Sequence, residues 1–326
     1  MKKLRLILLF LLLAVLFWQF DLNSFLDSLR QVPLVAFLAL LVLQVISQLL
    51  VNYQWCSIGK LMGGAHNFLQ MLYVNARGAI IESITPGVKV GGEITRAILL
   101  KKELHYSAQE AATLVTLQKM VSFSSFFCLN LFAFAHLANK IEFFQAWAAK
   151  VAFSVFCLSL MSLIFSLFFL TNLWEKKISE KSFKNRWLLI LQDYLLTLIA
   201  KLKLLKRNKG ELRKQFLLSF AIWLLFPLKM IFLVHFFTPH YDPLLLAEIT
   251  FLSYMVGMIP LFPGGLGSFE ATMASLLRLL QVPASASLAI TLLFRFLTFW
   301  FVLLLSLLYA VLWKRGEMGK WNRQKS

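Results

Sequence analysis

Long apolar runs, separated by short polar segments, make up most of this sequence. A run of about 18–20 apolar residues is long enough to cross the hydrocarbon core of a bilayer as a helix. The runs that predict full membrane spans lie at about 6–20, 33–51, 108–137, 147–170, 216–237 and 285–313. The first run is followed by no small-residue cleavage site, so we interpret it as a retained span rather than a secretory signal.

Two further apolar segments, at about 68–100 and 244–280, are interrupted by proline and glycine. The interruption reads SITPGVKVGG in the first segment and PLFPGGLG in the second. Proline lacks a backbone donor and glycine tolerates non-helical backbone, so a continuous helix is disfavoured at both places. Lipid cannot satisfy the backbone groups that a break exposes. Each segment is therefore predicted to form two short helices around a break that faces protein, water or a ligand.

The two interrupted segments also match each other in register. At one constant offset, Pro86, Gly87, Glu93, Thr95 and Ala97 correspond to Pro263, Gly264, Glu270, Thr272 and Ala274. Matches of this kind at a fixed spacing indicate an internal duplication.

Composition and charge agree with a membrane protein. The chain of 326 residues is 60% hydrophobic and 15% charged, with a mean hydropathy of +0.75. Soluble domains average roughly 45–50% apolar and 25% charged residues. The net charge of +18 is concentrated in the tails and loops, which indicates the positive-inside rule rather than nucleic-acid binding. We therefore expect a membrane protein with both termini in the cytoplasm.

This orientation requires both interrupted segments to enter and leave on the same side of the membrane. Three spans separate them, so the two hairpins enter from opposite faces. The predicted fold is an all-α polytopic membrane protein with about six full spans plus two re-entrant broken-helix hairpins in an inverted repeat. We read 1–326 as a single membrane domain, made of the first span and loop (1–32), the first repeat half (33–170), a basic cytoplasmic linker (171–214), the second repeat half (215–313) and a basic cytoplasmic tail (314–326).

The basic linker contains a largely apolar stretch with a basic end at 187–206. Two interpretations stay open for it. It either lies along the membrane surface as a lipid-sensing element, or packs against the protein as a linker helix.

Ionisable residues within the apolar segments define the candidate substrate-binding site. Each costs about 2.5–3.5 kcal/mol at the centre of a bilayer, so a polar cavity explains the set better than lipid exposure. Glu93 and Arg96 are three residues apart and are expected to pair on one helical face. With the residues of the two breaks, the candidate site comprises Arg77, Glu82, Thr85, Pro86, Gly87, Lys89, Gly91, Gly92, Glu93, Arg96, Lys119, Lys229, Glu248, Pro263, Gly264, Gly265, Gly267, Ser268, Glu270 and Arg295.

Signals for catalysis, metals and cofactors are weak. The five histidines show no metal-ligand spacing, and neither HExxH nor GxSxG occurs. The sequence GGLGSF resembles half of a dinucleotide loop, but no strand precedes it. Cys56, Cys128 and Cys157 suggest core packing rather than disulfides. We therefore expect no enzyme activity, no metal and no cofactor.

The segments TPGVKVGGEITRAILL (85–100) and PLFPGGLGSFEA (260–271) resemble the membrane region of bacterial lysylphosphatidylglycerol synthases. They are more closely similar to the stand-alone flippase-like membrane proteins that share this region. The resemblance extends over about 5–315 and implies a lipid-translocating membrane domain, located in the bacterial cytoplasmic (inner) membrane. The full synthases carry a large soluble aminoacyl-transfer domain after the membrane part; since this sequence ends at Ser326, we do not expect lipid aminoacylation.

The function that we predict is translocation of an anionic or phosphate-bearing lipid head group between leaflets. The helix N-termini near Gly91-Gly92 and Ser268-Phe269 are expected to bind phosphate, the basic residues to add charge, and the glutamates to take up protons or balance cations. The expected partners are membrane lipids (a phospholipid or a polyprenyl phosphate) and protons or a coupling cation. The alternatives are an ion-coupled secondary transporter of a small anionic solute and a non-transporting partner of an envelope enzyme.

Overall fold

A computed structural model of the chain describes residues 30–64, 67–85, 90–140, 146–180, 185–238, 241–259 and 263–323. The predicted first span, at about 6–20, lies outside these ranges. So do three residues of the candidate site: Pro86, Gly87 and Lys89.

The regular secondary structure of the described residues is all helical, with no strand, which confirms the all-α prediction. The helices are α1 (Leu34–Leu61), α2 (Phe68–Ile84), α3 (Val90–Glu103), α4 (Ala108–Lys140), α5 (Trp147–Phe169), α6 (Thr171–Ser179), α7 (Arg186–Arg207), α8 (Lys209–Val234), α9 (Pro243–Gly257), α10 (Ser268–Leu279), α11 (Ala284–Arg295) and α12 (Phe301–Arg323). A π-helical turn, Phe296–Trp300, joins α11 to α12.

Five of the predicted spans correspond to helices that are long and apolar enough to cross a bilayer. They are α1, α4, α5, α8 and the continuous α11–α12 unit. These helices confirm a polytopic membrane protein.

Helix α1 extends beyond the predicted span at 33–51 and ends at Leu61. Polar residues of this extension have partners inside the protein. Asn52 Nδ2 donates to the carbonyl oxygen of Phe68 at 3.0 Å, and Gln54 Nε2 donates to that of Gln215 at 3.3 Å.

The first interrupted segment forms two helices that pack against each other. A capping box between Asn67 and Gln70 begins α2, which ends at Ile84, and α3 begins at Val90. The two helices approach so closely at Gly92 that a Cβ there would lie 2.8 Å from both Glu82 Cβ and the Gly78 carbonyl oxygen. The predicted break is therefore confirmed as a tight helical pair.

The second interrupted segment also breaks where the sequence predicts. α9 ends at Gly257, a 3₁₀ turn follows at Pro263–Gly265, and α10 begins at Ser268. Gly264, Gly265 and Gly267 have φ angles of 61°, 70° and 82°. Side chains other than glycine rarely adopt this left-handed region, so the glycine cluster is required by the backbone path.

Two large apolar clusters, accompanied by two smaller ones, form the interior of the described helices. One is built from α1–α4 and α7 and includes Trp55, Met71 and Leu114. The other is built mainly from α8–α11 and includes Met230, Phe269 and Phe294. Helix α1 contributes to both, through Ile58 in the first and Leu40 in the second.

The linker helix α7 packs at one end and is exposed at the other. Leu198, Leu202 and Leu205 are buried in the first apolar cluster, whereas the large apolar side chains between Trp187 and Leu191 are exposed. The packed-linker interpretation therefore describes the C-terminal half of α7. A membrane-surface role for the N-terminal half stays a prediction.

The close approach of α2 and α3 yields a testable prediction. Gly92→Val should lower the stability of the purified protein, because its side chain would overlap Glu82 Cβ and the Gly78 backbone. Overpacking of this kind costs about 1–3 kcal/mol. Thermal unfolding in detergent measures the effect. The control is Gly316→Val, where a Cβ meets nothing within 4 Å; equal unfolding temperatures for the two variants would contradict the tight pairing.

Candidate functional site

A cavity of about 240 Å³ lies where the two interrupted segments meet. Its walls include Glu82 and Ser83 near the end of α2, and Gly264 and Gly265 in the second break. The two breaks approach closely, because a Cβ on Gly264 would lie 3.2 Å from the Ser83 carbonyl oxygen. Both interrupted segments therefore contribute to one cavity.

The first half supplies an ion-pair cluster to this cavity. Arg96 in α3 contacts Glu93 at 2.7 Å through Nη1 and Glu82 at 3.1 Å through Nη2. Lys119 of α4 lies 2.6 Å from the same Glu93 oxygen, Oε1. The expected pairing of Glu93 with Arg96 is confirmed. All four side chains are mostly shielded, so the carboxylates and cations hold one another in place.

Small residues and an aromatic ring position the Arg96 side chain. It packs directly on Gly78, where an added Cβ would lie 2.5 Å from Nε. Its guanidinium carbon lies 5.7 Å from the centre of the Trp55 ring, within the range of a cation–π contact. Gly91, one turn earlier in α3, is covered by the side chain of Thr85.

The second half supplies a smaller cluster centred on Arg295. Its Nε lies 2.8 Å from Glu270 Oε1, and an Nη2–H donates to the carbonyl oxygen of Gly264. The guanidinium also lies between two rings, 4.9 Å from the centre of Phe269 and 4.2 Å from that of Phe299. Arg295 immediately precedes the π-helical turn, an irregularity that often occurs at functional sites.

The two clusters share one arrangement. In each half, a glutamate in the first turn after the break pairs with a cation on the following long helix, as Glu93–Lys119 and Glu270–Arg295. At the constant sequence offset between the two interrupted segments, Lys119 aligns with Phe296, one residue beyond Arg295. The sequence comparison therefore missed the correspondence by one position.

A side chain of α10 itself, that of Glu270, caps the N-terminus of this helix. Glu270 Oε2 accepts a hydrogen bond from the Gly267 N–H at 2.7 Å, and the Ser268 hydroxyl donates to the Gly265 carbonyl oxygen. Among the described wall residues of the cavity, Phe269 belongs to the first turn of α10, whereas Gly91 and Gly92 of α3 are not represented. The wall also includes the cations Arg96, Lys119 and Arg295.

Lys229 was predicted for this site but does not line the cavity. It is fully buried between α8 and α1, where its ammonium group donates to Gln44 Oε1 and, at 3.1 Å, to the Ser47 hydroxyl. It also lies 4.4 Å from the centre of the Phe226 ring. Its described partners are all neutral.

Glu248 and Arg77 also lie elsewhere. The Glu248 side chain is 1% exposed, and its Oε1 lies 2.7 Å from His136 Nδ1 of α4. Arg77 is exposed on α2. Pro263 adjoins the wall as the first residue of the 3₁₀ turn.

Neutral polar residues in the wall were missed. Gln118 Nε2 donates to Gln54 Oε1 at 3.1 Å, and Gln48, Ser122 and Ser219 also face the cavity. The available signal was the presence of amide side chains within strongly apolar helices. Such side chains tend to hydrogen-bond between helices rather than contact lipid.

The fold and the site define a class: an all-helical polytopic membrane protein with a charged cavity at two helix breaks. Within that class, residues 3–306 match the family described as the lysylphosphatidylglycerol synthase TM region, and the chain belongs to this family. The match confirms the resemblance drawn from the two motifs, and it suggests a flippase-like membrane function.

Similar proteins occur among archaea. The chain is 22% identical to a "UPF0104 membrane protein" of Methanothermobacter thermautotrophicus over 85% of both chains. It is 23% identical to a protein of the same description from Pyrococcus horikoshii, over 94% of this chain and 95% of the relative. The similarity therefore extends over most of the chain and includes both interrupted segments.

Proposed function

We propose that this protein moves an anionic, phosphate-bearing lipid head group between the two leaflets through the central cavity. The observation that carries the proposal is the charge of the cavity wall. Among the described wall residues, the charged ones are the cations Arg96, Lys119 and Arg295 and the single carboxylate of Glu82. Glu93 and Glu270 contact these cations without belonging to the wall. The face that meets a ligand is thus predominantly positive.

A phosphate would compete with the protein's own carboxylates for these cations. Guanidinium groups bind phosphate and carboxylate with the same paired geometry, so Arg295 can exchange Glu270 for a head group. Lys119 can likewise exchange its partner Glu93 for the phosphate of the head group. A carboxylate that loses its buried partner is costly to leave charged. Glu93 and Glu270 are therefore the sites at which we propose that proton uptake accompanies binding.

Alternating access supplies the movement in this proposal. The duplicated segments act as an inverted repeat whose two hairpins enter the membrane from opposite faces, with the cargo site at their junction. Opening one hairpin exposes the cavity to one leaflet, and opening the other exposes it to the opposite leaflet. In this proposal, the close approach of Ser83 and Gly264 separates the two openings.

The membrane potential bounds the direction of transport. In a bacterial inner membrane that is negative inside, a potential of 100 mV is worth about 2.3 kcal/mol per charge. An anionic phospholipid would move outward with this field. Inward return of a polyprenyl phosphate would need the proton coupling at Glu93 and Glu270.

A small anionic solute is the second candidate cargo. The observation that favours it is the size of the cavity, because about 240 Å³ is below the roughly 300–1,000 Å³ of most ligand pockets.

Replacing Arg295 should abolish most transport. We expect the purified protein in liposomes to exchange fluorescent phosphatidylglycerol or a polyprenyl phosphate between leaflets. Arg295→Gln removes a wall cation, so its rate should fall at least about tenfold, as expected for loss of a charged hydrogen bond of about 1.5–3 kcal/mol. Arg278→Gln, an exposed arginine of α10, is the matched control and should keep the wild-type rate.

Two results would contradict this account. Wild-type liposomes that exchange no lipid but take up labelled inorganic phosphate would favour the solute transporter. Equal lipid exchange by the Arg295→Gln and Arg278→Gln variants would remove the cavity from the mechanism.

Proton coupling predicts a separate result for the glutamates. In the same liposomes, an imposed pH gradient should change the rate of lipid exchange by the wild-type protein. The double variant Glu93→Gln, Glu270→Gln should lose this response, because the amides cannot be protonated. A double variant that responds to the gradient as the wild type does would show that the coupling groups lie elsewhere.

A further inference from the structure

A second cavity of about 200 Å³ lies beside the central one, between α1, α2 and α12. Its walls are mostly apolar and include Leu49 of α1, Leu72 of α2 and Leu305 of α12. We refer to this space as the side groove. Its character differs from that of the central cavity, which is lined by charged and amide side chains.

The side groove adjoins the central cavity. The two spaces share wall residues, among them Gln48, Ala79, Arg96 and Val302. Arg96 is the one charged residue among the described walls of the side groove. The boundary between apolar and charged surroundings therefore falls at Arg96.

The side groove reaches the outer surface of the described helices. Leu49 of α1 lines the groove and is itself exposed. Apolar side chains on the outer surface of membrane-spanning helices face acyl chains. The groove thus leads from a lipid-facing surface to a buried cation.

We propose that the side groove holds one acyl chain of an anionic lipid whose phosphate lies at Arg96. The inference rests on the proposed function and makes it specific, because a soluble anion has no need of an apolar channel beside its binding site. A chain in the groove exchanges one apolar environment for another, so it can stay out of water while the head group reaches the cations. The narrow volume fits a single chain better than a helix of another protein.

Photocrosslinking tests the occupant directly. p-Benzoylphenylalanine replaces Leu305 in the groove or, as the matched control, Leu308, which lies one turn away and is exposed. Liposomes contain acyl-labelled phosphatidylglycerol or acyl-labelled phosphatidylcholine at the same mole fraction. Position 305 should capture the anionic lipid with a several-fold preference, and position 308 should show none. Arg96→Gln should weaken the preference at 305 alone, whereas Arg96→Lys, which keeps the positive charge, should retain most of it.

Other captured products would overturn the proposal. A crosslink from position 305 to residues 6–20 would show that the predicted first span fills the groove, and a crosslink to a second copy would show an interface. Capture of both lipids without preference at position 305 would show ordinary contact with the bilayer.

A transport measurement separates this inference from the proposed function. Leu305→Trp should slow leaflet exchange of phosphatidylglycerol several-fold, and Leu308→Trp should not. If the Leu305→Trp variant exchanges lipid at the wild-type rate, the proposed role of the side groove is wrong. The central cavity would then stay the proposed site of transport. Absence of exchange by the wild-type protein would count against the proposed function, and the crosslinking preference would still decide whether the groove binds an anionic lipid.

Discussion

The structure depends on one constraint: polar groups within an apolar membrane segment must find their partners inside the protein. The two helix breaks expose backbone donors and acceptors, and the charged residues near them are costly to bury alone. Placing the breaks against each other solves both problems at once. Arg295 illustrates the solution, since it pairs with Glu270 and also donates to the backbone of the second break at Gly264.

The same constraint explains why the cavity is charged but compact. Arg96 and Lys119 share Glu93, so each cation near the first break already has a carboxylate partner. Under the proposed function, a ligand takes over some of these partners. The proposed ligand is an anion because the cations form most of the charged wall. In the further proposal, the apolar side groove next to Arg96 holds the acyl chain attached to this anion.

Much of the architecture could be predicted from the sequence because proline, glycine and long apolar runs act locally. The breaks at Gly257–Ser268 and Ile84–Val90, and the pairing of Glu93 with Arg96, depend on residues close together in the chain. The role of a single lysine could not be predicted in this way. Lys119 and Lys229 each lie in an apolar helix, yet one lines the cavity and the other lies against Gln44. Lipid is as apolar as leucine, so the sequence pattern does not fix how each helix is rotated towards its neighbours.

The most direct test of the central claim is the accessibility of the junction between the two breaks from each side of the membrane. Ser83→Cys would be placed in a chain whose native Cys56, Cys128 and Cys157 have been replaced, and oriented vesicles would be treated with a membrane-impermeant thiol reagent. An alternating cavity predicts labelling from both the cytoplasmic and the outer side, with addition of an anionic lipid changing the ratio of the two rates. Labelling from one side alone, unchanged by lipid, would contradict the account.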